Sequence, residues 1–360
     1  MYSEDDLNSA VAAGAIGAEA AEGLRDFVAR RRAAPAADEE SFRLVTGFND
    51  IFVAIAAVLL LSALGWLGAR IESVLGGASV AAASWLFAEY FTRRRRMALP
   101  SIVLLCAFVG GVYAAGVALV VRYNVDAMSF WGMIRDMDTA GRLVGLEFAA
   151  CGAVAALAAY AHWRRFMVPI TVAAGAAAAV AMALALALTL APGLRGHVLP
   201  LVFLAGIALF ALALRWDASD RERRTRRSDV AFWLHLTAAP LIVHPAFSML
   251  ATRDATVGHA MAAVAIYLGL ALVALAVDRR ALLVSALIYL LYAMKTLFEA
   301  VGSAGESFAV TALVIGSVLL LLSALWHHVR RLVVAVLPKG VRSRLPATEI
   351  RAVTSPGVSV

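Results

Sequence analysis

Long apolar runs recur along the chain, separated by short segments in which arginine, aromatic residues and proline gather. The apolar windows fall at 48–68, 74–91, 100–121, 143–161, 168–191, 199–215, 229–250, 258–277, 281–300 and 307–326. Each has about the length a helix needs to cross a hydrocarbon layer roughly 30 Å thick. Alanine-rich runs such as Ala173 to Leu190 favour helix, whereas a barrel strand would alternate apolar and polar residues over about ten positions. The pattern predicts an all-α fold, a polytopic transmembrane bundle of about ten spans arranged as five hairpins within residues 41–332.

The two ends of the chain read differently. Ser3-Glu4-Asp5-Asp6 has the composition of a helix N-terminus, Leu7 and Val11 give an apolar stripe, and Gly14 is placed to end the helix. Ile16, Ala20, Leu24, Phe27 and Val28 form a second stripe, so residues 1–40 are predicted to be a small amphipathic two-helix hairpin followed by a linker around Pro35. Two such short helices bury too little to stand alone, which makes docking on a protein partner, on a second copy or on a basic surface the expectation. No basic, apolar leader opens the chain, so insertion is expected to start at the first span. Residues 333–360, with Pro338, Gly340, Pro346 and Pro356 among several arginines, read as a basic, disordered tail.

Composition agrees with the pattern, since 62% hydrophobic residues against 16% charged is more apolar surface than a soluble domain of this length can bury. Charge then orients the spans. Arg25, Arg30 to Arg32, Arg43, Arg93 to Arg96, Arg164, Arg165, the run from Arg215 to Arg227, Arg279, Arg280, Arg330 and Arg331 fall on one side. The opposite side has only Arg70, Arg122, Arg135, Arg142, Arg195 and Arg253. The positive-inside rule puts both termini in the cytoplasm and demands an even number of spans. The formal net charge of +7 is explained by this topology and by attraction to anionic lipid head groups, and no soluble domain suited to nucleic acid is present.

Two junctions share one grammar: Tyr90-Phe91-Thr92 before Arg93 to Arg96, Met97 and Pro100, and Tyr160-Ala161-His162-Trp163 before Arg164, Arg165, Met167 and Pro169. Asp278-Arg279-Arg280 and His327-His328-Val329-Arg330-Arg331 repeat the charged part. Independent hairpins obeying insertion rules and true internal duplication both account for this.

Ionisable residues inside apolar windows carry the remaining information, because such groups in hydrocarbon line cavities or pair with one another. At about 1.5 Å per residue, His244 lies roughly 22 Å and Lys295 roughly 21 Å from the cytoplasmic start of their spans. Glu299 is one turn beyond Lys295, and Glu147 and His259 enter their spans at a similar depth. Glu147, His244, Lys295, Glu299 and His259 are therefore the candidate polar pocket, with mutual pairing of Lys295 and Glu299 as the structural alternative. Asp50 and Glu89 form a candidate pair at the inner ends of the first two spans, although Glu89 also stands four residues before Arg93 in the order that favours a helical salt bridge. Pro240 and Pro245 mark a candidate hinge.

Nine residues separate His235 from His244, which puts them on opposite faces of a straight helix and argues against a shared metal. Cys106 and Cys151 behave as small apolar residues with no CxxC spacing. The sequence holds no HExxH, GxSxG or phosphate-loop motif, so no catalytic residue, metal or cofactor is assigned. Two functions remain: movement of a small solute or protons through the outer-half pocket, and a non-catalytic scaffold or sensor that recruits partners through residues 1–40 and the basic loops.

Leu7, Gly14-Ala15-Ile16-Gly17, Ala20 and Leu24, with Gly47-Phe48-Asn49-Asp50 and Arg96-Met97-Ala98-Leu99-Pro100, carry a resemblance. The chain resembles uncharacterised bacterial multi-pass membrane proteins that set a short soluble helical hairpin before about ten spans. The resemblance implies a place in the bacterial inner membrane and brings no activity or site residue with it.

Overall fold

The computed structural model describes residues 4–24, 48–131, 137–220, 225–250, 257–300, 307–342 and 345–346. The chain divides into two compact units, Met1–Phe42 with Ala347–Val360, and Arg43–Pro346. Among the described residues every regular element is helical.

In the first unit, α1 (Glu4–Ala12) and α2 (18–24) are joined by a tight turn. Gly14 occupies the left-handed region at φ 69°, and the amides of Ala13, Gly14 and Ala15 bond back to the carbonyls of Ser9, Val11 and Ala10. A glycine there ends the helix without the steric penalty a Cβ would bring. Phe27, Val28 and the predicted linker lie outside the described residues.

The second unit is the bundle: α3 (Phe48–Ile71), α4 (Ser73–Ala88), α5 (Ala98–Trp131), α6 (Met137–Phe166), α7 (Ile170–Leu190), α8 (Val198–Ala218), α9 (Arg226–Leu250), α10 (Val257–Val277), α11 (Ala281–Ala300) and α12 (Ser307–Ala324). These ten helices coincide one by one with the ten apolar windows. Nine described helices are long and apolar enough to cross a membrane, and a tenth span results if α12 is taken with the helix after it. The chain is thus an integral, multi-pass membrane protein. Sequential neighbours form the main packed pairs, α3 on α4, α4 on α5, α6 on α7, α8 on α9 and α10 on α11.

The helices of α5 and α6 run past their apolar windows, α5 for 34 residues. At about 1.5 Å per residue that is roughly 51 Å, well beyond the hydrocarbon thickness. Hydropathy marks where lipid begins, not where helical hydrogen bonding stops.

Small residues set the closest helix approach. A Cβ on Gly77 of α4 would lie 2.5 Å from the Gly111 carbonyl oxygen and 2.5 Å from the Ala115 nitrogen of α5. Backbone meets backbone there, the arrangement that lets dispersion act between helices where no hydrophobic force drives them together.

Three interhelical junctions end in the same way. Arg96, Met167 and Asp278, none of them glycine, all adopt left-handed φ, at 53°, 55° and 61°. The repeated junction pattern seen in the sequence thus corresponds to a repeated backbone turn. Before the first of these, Glu89–Arg94 widens into a π-helical segment, with the Arg95 amide bonding to the Tyr90 carbonyl. The extra residue per turn rotates Glu89 and Thr92 relative to a regular α-helix.

α9 is the enclosed centre of the bundle. Over half of its span, 56%, is buried, against 11% to 33% for the other spans. Helical conformation is continuous from Arg226 to Leu250 through Pro240 and Pro245. The sharp bend lies elsewhere: α13 (Trp326–Val336) leaves α12 at 76° across Leu325. Trp326, Arg330 and Val334, spaced four apart, are the buried face of α13. After α14 (Lys339–Arg342), Leu345 packs with Val277 and Val334, and Arg330 Nη2 donates to the Pro346 carbonyl at 2.9 Å. The packed chain therefore extends through Pro346, past the boundary at 332 that hydropathy suggests, because a basic amphipathic helix buries one face without being apolar overall. Residues 347–360 of the expected tail lie outside the described residues.

Candidate functional site

A buried charged group lies where α8 ends, α9 begins and α10 turns into α11. Asp217 is in the last turn of α8, His235 in the third turn of α9, and Arg279 just past the left-handed Asp278. All three are buried, with 2%, 2% and 3% of their surface exposed. His235 Nε2 donates to Asp217 Oδ2 at 2.8 Å. Arg279 Nη2 donates to Asp217 Oδ1 at 2.6 Å and to the Ser228 carbonyl at 3.2 Å. One carboxylate thus accepts from an imidazole and a guanidinium, the arrangement that permits a charge to be buried at all. Phe210 meets the His235 ring edge-on at 4.9 Å, and Phe232 lies 5.9 Å from the Arg279 guanidinium.

The local sequence explains the geometry. The apolar run of α8 ends at Leu214, and of the two charged residues in its last turn, Arg215 and Asp217, Asp217 is the buried one. The turn at Asp278 swings Arg279 back toward the helices. Asp278 itself accepts from Trp326 Nε1 at 2.7 Å, lies 3.6 Å from Arg330 Nε, and so ties the bend at Leu325 to the same end. Arg280 covers the Trp326 ring at 4.8 Å.

A second buried polar group lies between α4, α5, α6 and α7. His162 is fully enclosed, its Nδ1 3.2 Å from Thr171 Oγ1, with Trp85, Phe108 and Phe166 around its ring. Its buried Nε2 has no hydrogen-bond partner among the described residues.

The residues singled out from the sequence are distributed as follows. Glu147 Oε2 accepts from Asn124 Nδ2 of α5 at 2.6 Å. His244 Nδ1 is hydrogen-bonded to the Tyr289 hydroxyl of α11 at 2.7 Å and lies 3.4 Å from Ser248 Oγ. Lys295 is exposed on α11, His259 is half-buried in the first turn of α10, and Glu299 lies in the last turn of α11 with its side chain outside the described residues. α6, which carries Glu147, packs on α5 and α7, whereas α9 and α11, carrying His244 and Lys295, pack on each other. Asp50 is buried in the first turn of α3. Glu89 binds Arg165 of α6 with both oxygens, at 2.6 and 2.9 Å, and Arg93 at 3.4 Å, so its tighter bond is the one between helices.

Hydropathy does not single out Asp217, His235 and Arg279 as partners, because Asp217 and Arg279 read as ordinary loop residues. A signal exists in retrospect: an aspartate two residues past the end of one window faces, across a polar loop, a histidine two turns into the next. Among the described residues no cluster of three or more His, Cys, Asp or Glu could hold a metal ion. No family model, curated protein or solved structure matches the chain.

Proposed function

We propose that the bundle moves protons or a small solute across the bacterial inner membrane, with α9 as the polar axis of the path. The observation that carries this reading is a pair of histidines along α9, one buried and one exposed, each bonded to another helix: buried His235 to Asp217 of α8 and exposed His244 to Tyr289 of α11. Nine residues at about 1.5 Å each separate the two by roughly 13 to 14 Å, a large part of the hydrocarbon depth. Ionisable groups within spans are costly and line substrate or proton routes. Lys295, Glu299 and His259 contribute the outer half of the route, and Pro240 and Pro245, flanking His244, provide the flexible section of α9. Both termini face the cytoplasm in this reading, supported by the gathering of Arg93 to Arg96, Arg165, Arg279 and Arg280 at the helix ends.

The test is flux. Purified protein in vesicles with an imposed pH gradient and an internal pH dye is expected to dissipate the gradient faster than protein-free vesicles. His244→Gln and Tyr289→Phe are expected to slow it about a hundredfold or more, the scale of losing one positioned proton-transfer group. Wild-type protein that never exceeds the protein-free rate, with protons or with a panel of small solutes, sinks the transport reading.

A further inference from the structure

The first two junctions of the repeated pattern come together as one charged surface. Arg93 to Arg96 after α4, and Arg164 and Arg165 at the end of α6, are all exposed. Among the described residues Glu89 is the carboxylate paired with these guanidiniums, and it spends both of its oxygens on Arg165 and a weaker contact on Arg93. That bidentate bond ties the two junctions to each other. Arg94 and Arg96 have no carboxylate partner among the described residues, and neither do Arg95 and Arg164.

Arg95 and Arg164 are instead held by tyrosines. Arg95 Nη2 donates to the Tyr90 hydroxyl at 3.2 Å with its guanidinium 5.7 Å from the ring centroid, and Arg164 Nη1 donates to the Tyr160 hydroxyl at 3.2 Å with its guanidinium 6.0 Å from that ring. Both tyrosines are exposed, and one turn toward the membrane from each lies an exposed leucine, Leu86 and Leu157. The surface therefore passes within a turn from apolar side chains, through amphipathic rings, to unneutralised guanidiniums. That order matches an acidic phospholipid, whose acyl chains, glycerol region and phosphate succeed one another over the same depth. A guanidinium offers paired N–H donors to phosphate oxygens, which an ammonium cannot do.

We propose that this two-junction surface seats an acidic phospholipid, its phosphate held by Arg94, Arg95 and Arg164 and its acyl chains lying along Leu86 and Leu157. The site is independent of α9 and of any transport activity. Glu89 has a positioning role: it holds the α6 junction beside the α4 junction while leaving the outer guanidiniums for the lipid.

Full-length protein in neutral detergent would be titrated with phosphatidylglycerol, phosphatidylcholine or inorganic phosphate, reading the thermal unfolding midpoint and the lipid retained in native mass spectra. Phosphatidylglycerol is expected to raise the midpoint and stay bound, with phosphatidylcholine doing neither, and the preference should shrink as salt rises. The combined variant R94Q/R95Q/R164Q is expected to bind phosphatidylglycerol about tenfold more weakly or worse, while Arg195→Gln, beyond the far end of α7, leaves binding unchanged. Equal retention of the two lipids by the wild type overturns the proposal even if the triple variant fails to fold, as does undiminished binding by a folded triple variant. A midpoint shift reproduced in full by inorganic phosphate, with no lipid retained, assigns the surface to a free anion and also overturns it.

Discussion

His235 Nε2 lies 2.8 Å from Asp217 Oδ2, across the interface of two helices whose connecting loop is one of the most basic stretches of the chain. With Arg279 closing the other side of the carboxylate, these residues hold together α8, α9 and the turn between α10 and α11.

Breaking that group by halves should be worse than removing it. Arg279→Gln leaves Asp217 buried without its cation and is expected to destabilise the bundle by about 3 to 5 kcal/mol. The double variant D217N/R279Q should recover at least about 1 kcal/mol of this, the coupling expected of residues in direct contact. Unfolding midpoints in detergent check both; strictly additive losses would count against a coupled group.

Glycine tolerance separates packed from open positions. Gly77→Val must force α4 away from α5, since the new side chain meets backbone atoms at 2.5 Å. A loss of about 1 to 3 kcal/mol or more is expected. Gly110→Ala, one residue from the Gly111 contact but with nothing within 4 Å, is expected to be neutral or to stabilise by up to about 1 kcal/mol through helix propensity. The comparison uses the same unfolding assay.

At the opposite end of the bundle, a hydrogen bond from the Arg122 guanidinium holds the Glu72 carboxyl below its ordinary value of 4.5, against a smaller opposing effect of burial. A carboxylate with a depressed folded value adds stability above its unfolded value, and this is lost as pH falls through the folded one. Glu72 is partly exposed, so the effect is small. Stability of the wild type is expected to decline more than that of Glu72→Gln as pH drops below about 4.5. Parallel pH profiles would remove the Arg122 bond from the account.

Sidedness can be read by chemistry. In a background with Cys106 and Cys151 changed to serine, single cysteines at positions 94 and 280 should react with an impermeant maleimide only in inverted vesicles. One at position 195 should react only in right-side-out vesicles. Labelling of 94 and 195 from the same side would overturn the arrangement of spans.

The sequence by itself determined what depends on one segment and its solvent. Ten apolar windows became ten helices, Gly14 ended α1 with left-handed φ, and the recurring Arg-Met pattern marked turns that the backbone repeats at Arg96 and Met167. These are local consequences of transfer into lipid and of backbone sterics. Tertiary structure decided which faces meet. Spans such as α3, α7 and α10 are apolar all round, so no stripe in their sequence says which side packs inward. Hence the union of Asp217, His235 and Arg279, the choice of Arg165 over Arg93 as the tighter partner of Glu89, the aromatic enclosure of His162 and the bend at Leu325 emerged only from the packed bundle. A charge beside a span reads as solvated until a neighbouring helix brings its counter-charge within about 3 Å and excludes the water.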